Sequence, residues 1–155
     1  MIVSSSAEVL KRARELREFS KMTDMQAAMG RVQLRRLPGF LARRGVLAAR
    51  YDRALIGLNI DLPHRDEGRI YQRYVIRVPG ANLDALIKAL ERHGVAARRP
   101  VYRPLHQDVP CRGAFPQAQA AWQSCLSLPL YPALTDREQA KVIAAVRGVL
   151  AREGP

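Results

Sequence analysis

The sequence predicts an α+β fold in which helices pack on a small, mostly antiparallel sheet. Amphipathic helical segments occupy both ends of the chain, the strand patterns between them are short, and helices and strands largely segregate along the sequence. A chain of 155 residues corresponds to one domain, or to one domain and a fragment, and 48% apolar residues are enough to build a core.

The first predicted element is a helix. Ser5 and Glu8 have the spacing of a capping box, in which each side chain satisfies a backbone donor at the helix start. An apolar stripe continues from there to about Glu18. The apolar residues 1–3 that precede this helix are typical of the end of a strand.

The second predicted helix, residues 21–37 (KMTDMQAAMGRVQLRRL), is the segment around which the chain is organised. Thr23 and Gln26 form another capping box. Small and thioether side chains recur on one face and suit close helix packing or a subunit contact. They are Met25, Ala28, Met29 and Val32. Pro38-Gly39 then predicts a break or a kink, because proline removes a backbone donor, and a separate helix follows over residues 40–58.

A strand and a helix follow the loop after residue 58. Residues 70–78 (IYQRYVIRV) alternate in the manner of a strand. The next helix starts near Asn82, and Gly94 is placed to close it in a left-handed conformation. Residues 95–102 are predicted to be extended again.

The last third of the chain adds two helices around a short strand. Pro116 suits the first position of a short helix that runs to Trp122. Residues 126–128 form a brief apolar strand. Thr135 and Glu138 make a third capping box, which starts the terminal helix.

The charge of the chain is strongly positive. Lys and Arg number 26 against 14 Asp and Glu, so the net charge is +12. This balance suggests a polyanionic partner such as nucleic acid. However, 22 of the basic residues are arginines spread along the whole chain, and the Arg35-Arg36 and Arg43-Arg44 doublets are typical of solvated helix faces.

The sequence offers no signal peptide and no membrane span, so we expect a soluble, cytoplasmic protein without membrane contact. The opening MIVSSSAEVL has no basic start, and no window holds 18 consecutive apolar residues. Cys111 and Cys125 have no partners at metal-ligand spacing, so they are expected to be reduced thiols, and no metal site is predicted.

Several stretches, in the right order, resemble the DegT/DnrJ/EryC1/StrS family of pyridoxal phosphate (PLP)-dependent sugar aminotransferases. Residues 21–37 resemble the family's MT[ED][LM]QAA[LM]G helix, and residues 70–78 resemble its HVYHQYVIRVP strand. Residues 125–136 (CLSLPLYPALTD) resemble VLSLPLYPGLTD, and residues 104–106 match PLH. The resemblance identifies the fold as the C-terminal small domain of a type I aminotransferase.

The resemblance also implies a domain organisation. Residues 1–38 correspond to the end of the large domain and its linking helix, and residues 39–155 correspond to the small domain. The family assembles as dimers that transfer an amino group to a keto-sugar nucleotide in amino-sugar and polysaccharide biosynthesis. Its PLP is held by a lysine, and none of the chain's lysines lies in the family's lysine motif. They are Lys11, Lys21, Lys88 and Lys141.

The site residues implied by the resemblance are few. Lys21 stands where the family has the arginine of an NYR triplet, so it is the candidate for contact with the cofactor phosphate. Tyr102, Arg103 and His106 are the candidates for binding the nucleotide sugar, because arginine pairs well with diphosphate. No catalytic residue is predicted, since no self-sufficient catalytic constellation is visible.

Three interpretations of such a chain remain open: a truncated product, half of a split enzyme, and a domain recruited to a non-catalytic role. PLP is implied by the family but is not expected to bind this chain alone. The expected partners are a second copy or a chain carrying the cofactor domain, together with a nucleotide sugar. The alternative is a basic domain for nucleic-acid binding or regulatory interaction, which the dispersed charge disfavours.

Overall fold

The computed structural model describes residues 4–16, 22–66, 68–109 and 113–152. Within these ranges, five α-helices accompany a two-stranded antiparallel sheet, which confirms the predicted α+β class. The elements are α1 (Ala7–Leu16), α2 (Asp24–Leu55), β1 (Tyr74–Arg77), α3 (Leu83–Arg92), α4 (Pro116–Ser124), β2 (Cys125–Leu128) and α5 (Asp136–Arg152). No described helix is long and apolar enough to cross a bilayer.

The chain divides into two compact units, Met1–Pro38 and Gly39–Pro155. The assignment of these units to parts of a larger enzyme stays a prediction. In the first unit, α1 is capped by Ser6, whose Oγ accepts the Val9 N–H (3.4 Å). The capping box predicted at Ser5 and Glu8 is therefore wrong: the cap is one residue later and is not reciprocal, because Val9 has no side-chain acceptor. The predicted strand end at residues 1–3 and the predicted helix end at Glu18 lie outside the described residues.

The capping box predicted at Thr23 and Gln26 is confirmed. The Thr23 N–H donates to Gln26 Oε1 (3.0 Å), and the Gln26 N–H donates to Thr23 Oγ1 (3.2 Å). The apolar face that follows is exposed, with Met25 at 75% of its full accessibility. Of the two alternatives predicted for this face, close helix packing is not seen among the described residues, and the subunit contact stays a prediction.

Of the break or kink predicted at Pro38, the break and the separate helix over residues 40–58 are wrong, because α2 continues through Pro38 from Asp24 to Leu55. A proline inside a helix removes one hydrogen bond, the one to the carbonyl four residues earlier. That carbonyl belongs to Leu34, which is 62% exposed, so water is available to it. One continuous helix therefore extends to Leu55, where two helices were predicted.

The sheet lies in the second unit and is shorter than predicted. Tyr74 pairs with Leu128 and Arg77 with Cys125, and an isolated bridge adds Arg98 beside Ser127. Residues 70–73 stay outside the ladder, although the pattern predicted a strand from Ile70. The carbonyls of Tyr71 and Gln72 instead accept hydrogen bonds from Arg44 on α2 (3.0 and 2.7 Å).

The predicted start and end of α3 and the capping box predicted at the start of α5 are confirmed. Asn82 accepts the Ala85 N–H (3.2 Å) at the start of α3, and Gly94 closes that helix at φ +73°. Thr135 and Glu138 bond reciprocally at the start of α5, with Thr135 N to Glu138 Oε2 at 2.8 Å. These local signals depend on neighbours three residues apart, so sequence spacing alone was enough to find them.

The core is formed by α2, the sheet, α3 and α5, and α3 packs against α5. Its largest fully buried side chains come from all of these elements. They are Leu47, Tyr51, Leu55, Tyr74, Ile76, Leu86, Leu90, Leu126, Gln139 and Val146. The two tyrosine rings meet with centroids 4.8 Å apart, and the Tyr51 hydroxyl donates to the Pro129 carbonyl (2.8 Å).

The buried tyrosines predict a loss of stability at alkaline pH. Burial raises the pKa of both Tyr51 and Tyr74 well above the usual value near 10, because the phenolate would lose its hydration. With folded pKa values above the unfolded ones, the stabilisation is complete below about pH 10 and is lost above it, by up to about 1.4 kcal/mol per pH unit for each tyrosine.

Chemical denaturation between pH 8 and 11 measures this effect. Tyr51→Phe should flatten the fall of the free energy of unfolding above pH 10. Tyr102→Phe is the matched control, because Tyr102 is 87% exposed and should leave the slope unchanged. Equal slopes for the wild type and Tyr51→Phe would contradict the assignment.

Candidate functional site

A groove with a cavity volume of about 590 Å³ lies beside α3 and α4 in the second unit. Its size suits a small organic ligand, since ligand sites commonly measure about 300–1,000 Å³. Its lining combines three arginines, two aromatic side chains and one carboxylate. The lining residues are Asp84, Ile87, Arg98, Arg99, Val101, Tyr102, Arg103, Gln107 and Trp122.

Arg99 forms the most constrained part of the groove wall. Its Nη1 donates to Asp84 Oδ1 on α3 at 2.5 Å, and its guanidinium stacks 4.5 Å from the ring centroid of Trp122 on α4. The side chain is only 18% exposed, and its buried Nε has no hydrogen-bond partner. The hydrogen bond from Arg99 lowers the pKa of the Asp84 carboxyl, so Asp84 stays ionised and keeps Arg99 in place.

Trp122 connects α4 to the segment that carries the predicted substrate residues. Its indole N–H donates to the carbonyl of Tyr102 (3.1 Å). Tyr102 therefore has a fixed backbone while its ring projects into solvent. The Arg103 guanidinium lies 5.2 Å from the centre of that ring and forms an ion pair with Asp108 (Nε to Oδ1, 3.0 Å).

Arg98 differs from the other two arginines of the groove. Its backbone is held at the edge of the sheet, where its N–H and carbonyl bond to Ser127 at 3.2 and 2.8 Å. Its side chain is exposed, and among the residues that the structure describes no carboxylate forms an ion pair with it. The lining thus carries an excess of positive charge, which favours an anionic ligand.

The structure brings together two of the predicted site residues, Tyr102 and Arg103, which both line the groove. His106 is half-buried outside that lining and stacks on Phe115, with ring centroids 5.3 Å apart. Lys21 lies outside the described residues. Substrate binding by Tyr102, Arg103 and His106 and cofactor contact by Lys21 all stay predictions.

Sequence reasoning missed Asp84, Arg98, Arg99 and Trp122. The run Arg98-Arg99 just before Tyr102-Arg103 was a usable signal, because it places three of the groove's arginines within six residues. Asp84 and Trp122 gave no such signal. They reach the groove only because α3 and α4 fold beside this segment.

The described residues do not fit a site for covalent attachment of an aldehyde cofactor such as PLP. Such a cofactor needs a lysine amine in the site. Lys11, Lys88 and Lys141 are all exposed, and none of them lines the groove. In the same ranges, no group of three His, Cys, Asp or Glu residues is placed to hold a metal ion. The described lining therefore offers a ligand positive charge and aromatic surface.

Comparison with known proteins gives a consistent family. The model of the DegT/DnrJ/EryC1/StrS aminotransferase family matches residues 7–147. Spore coat polysaccharide biosynthesis protein SpsC of Bacillus subtilis is 32% identical over 143 residues, which are 83% of this chain and 37% of that protein. The dTDP-4-dehydro-2,3,6-trideoxy-D-glucose 4-aminotransferase of Saccharopolyspora spinosa is 38% identical over 123 residues, 74% of this chain and 31% of that protein.

Solved structures of aminotransferases superpose on most of this chain. The aminotransferase TlmJ from Streptoalloteichus hindustanus superposes with a TM-score of 0.79 at 36% identity, over 85% of this chain and 37% of that one. S. venezuelae DesV in complex with a ketimine intermediate gives 0.81 at 28% identity, over 94% and 45%. The chain thus spans between 31% and 37% of the length of the two curated relatives, and its fold is part of an aminotransferase fold.

Proposed function

The chain belongs to the DegT/DnrJ/EryC1/StrS aminotransferase family, and from that membership we propose that it forms the C-terminal part of a sugar-nucleotide aminotransferase. The proposed reaction is PLP-dependent transfer of an amino group to a keto-sugar nucleotide, in the cytoplasm, for amino-sugar or polysaccharide biosynthesis. The carrying observation is the family match over residues 7–147 together with the superposition on TlmJ at a TM-score of 0.79.

Catalysis by this chain requires a segment that supplies the cofactor lysine. None of the described lysines lines the groove, so the described part of the chain offers no anchor for PLP there. That segment is either joined to this chain or carried by a second chain, and the second case makes the protein half of a split enzyme. The exposed face around Met25 and Met29 supports a contact with another copy or with such a partner.

The proposed substrate site is the groove. Tyr102 and Arg103 contribute an aromatic surface and a guanidinium, and the excess positive charge suits the diphosphate of a nucleotide sugar. His106 lies in the same loop, and we assign it to the substrate side of the site. Lys21 is proposed to contact the cofactor phosphate once the remaining domain is present.

Complementation tests the proposal. The chain is co-expressed with the S. spinosa relative from which the matched segment has been deleted, and PLP, glutamate and the keto-sugar nucleotide of that relative are supplied. We expect an amino-sugar product only when both chains are present. Replacing the cofactor lysine of the relative is the matched control and should abolish the product.

The chain alone provides the complementary measurement. After incubation with PLP, borohydride reduction and dialysis, we expect no labelled lysine in its peptide map. A labelled lysine would show that this chain has its own anchor, and the absence of product from the two-chain mixture would exclude the split enzyme.

The net charge of +12 supports one alternative, a nucleic-acid-binding or regulatory domain. Phosphate contacts of that kind weaken steeply as salt rises. A salt-dependent mobility shift of DNA or RNA, without nucleotide binding, would favour this alternative over the aminotransferase.

A further inference from the structure

We propose that the groove beside α3 and α4 is a diphosphate-binding site in which Arg98 makes the principal contact with the anion. The inference rests on the proposed function, which names a nucleotide sugar as the source of that diphosphate. It goes beyond that function by assigning the anion to a residue that the sequence did not single out, and by separating the roles of the three arginines.

The ion pairs of the groove distinguish these arginines. Arg99 is bound to Asp84, and Arg103 is bound to Asp108. Each of these carboxylates offsets the charge of its arginine and engages some of that arginine's N–H donors. Arg98 forms no ion pair within the described part of the chain, so its five N–H donors and its full charge are available to a ligand.

The backbone gives Arg98 a fixed position. Its N–H and carbonyl both bond to Ser127, the third residue of β2, and Ser127 itself pairs across the sheet with Val75 of β1. Because this backbone is already ordered, binding costs the rotamer freedom of the exposed Arg98 side chain and not the ordering of a loop as well.

Arg99 acts as a positioning residue, whereas Arg103 contributes a second guanidinium to the groove, whose charge Asp108 offsets in part. Arg99 is held between Asp84 and the Trp122 ring, and these contacts fix the segment 98–103 against α3 and α4. Trp122 then fixes the backbone of Tyr102 through its indole N–H. The exposed Tyr102 ring is thereby presented beside the anion site, where the base of a nucleotide can stack on it.

Calorimetric titration of the full chain tests the assignment. Inorganic pyrophosphate, UDP and uridine are compared at constant ionic strength, and the fluorescence of Trp122, the single tryptophan, reports binding in the groove. We expect pyrophosphate and UDP to bind, uridine to bind at least tenfold more weakly than UDP, and the fluorescence to change on binding.

Substitutions distinguish a specific anion site in the groove from non-specific attraction of the anion by the net positive charge of the chain. Arg98→Gln should weaken pyrophosphate binding at least tenfold, and Arg98→Lys should recover part of that loss. Arg137→Gln removes the same charge from an exposed position outside the groove lining and should change the dissociation constant less than twofold. Unchanged thermal melting of Arg98→Gln would exclude unfolding as the cause of lost binding.

The outcomes either support or overturn the proposal. UDP binding more tightly than pyrophosphate supports a nucleotide ligand, and equal binding supports the diphosphate alone. Equal losses for the Arg98 and Arg137 variants, or binding only to single-stranded DNA, would overturn it. If the groove binds nothing but two-chain complementation yields product, this inference fails while the proposed function stands.

Discussion

Replacing Arg44 with alanine should lower the free energy of unfolding by about 3 kcal/mol, because one side chain donates to three carbonyls in two separate segments of backbone. Arg44 extends from α2, and its Nη1 lies 3.0 Å from the Tyr71 carbonyl, 2.7 Å from that of Gln72 and 3.1 Å from that of Leu130. The first two carbonyls precede β1, and the third follows β2.

The size of this effect follows from the charge of the donor. Hydrogen bonds from a charged group contribute about 1.5–3 kcal/mol each, and bonds that share one nitrogen are not additive. Alanine also leaves partly buried carbonyls without a donor, which costs more than the bonds alone are worth. For a domain of ordinary stability, about 5–15 kcal/mol in total, this loss is a large fraction.

Urea denaturation measures the change, with Arg53→Ala as the matched control. Arg53 is exposed on the same helix, and its replacement should change the free energy of unfolding by less than about 0.5 kcal/mol. Arg44→Lys keeps the charge but not the planar fork, so we expect an intermediate loss of about 1–2 kcal/mol. Arg44→Ala within about 0.5 kcal/mol of wild type would contradict the role.

Arg44 also shows where sequence reasoning about the fold succeeds and where it fails. The capping boxes at Thr23 and Thr135 are local, and their spacing predicts them. The start of the strand near Ile70 is not local. In the observed register Arg73 would lie opposite Pro129, which has no N–H to donate, and Arg44, 27 residues before Tyr71, donates to the carbonyls of Tyr71 and Gln72. No periodicity in residues 70–78 records either feature.

The residues of the candidate site likewise fall into those that the sequence predicts and those that it does not. Tyr102 and Arg103 lie in one short segment and were predicted together. Asp84 and Trp122 lie on two different helices, 15 residues before and 23 residues after Arg99. No pattern in the sequence distinguishes Asp84 from a surface residue or Trp122 from a core residue. Only the packing of α3 and α4 turns them into the groove wall, so tertiary structure was needed to find them.

The second large effect is expected at Asp52, a carboxylate of α2 that is almost completely buried. Its Oδ1 accepts the hydroxyl of Tyr74 at 2.5 Å, and its Oδ2 accepts Arg65 Nε at 2.7 Å. Tyr74 is fully buried and begins β1, so Asp52 ties the helix to the sheet and satisfies a hydroxyl that water cannot reach.

Asp52→Ala should therefore lower the free energy of unfolding by about 3 kcal/mol, since it leaves a buried hydroxyl unpaired and opens a small cavity. Arg65→Gln should cost about 1 kcal/mol, because the Gln amide can still donate to Asp52 Oδ2 and water reaches the position vacated by the Arg65 side chain, which is 61% exposed. The two losses differ because burial, and not formal charge, sets the cost of a missing partner.

A double-mutant cycle checks which partner of Asp52 carries the effect. Tyr74→Phe removes the hydroxyl, so in that background Asp52→Ala leaves no buried hydroxyl without an acceptor. The loss in the free energy of unfolding should then be about 1–2 kcal/mol smaller than in the wild type. Asp52→Asn keeps an acceptor for Tyr74 and should fall between the wild type and alanine. A coupling energy near zero with Tyr74, together with a large loss from Arg65→Gln, would mean that the ion pair stabilises this part of the fold and the buried tyrosine does not.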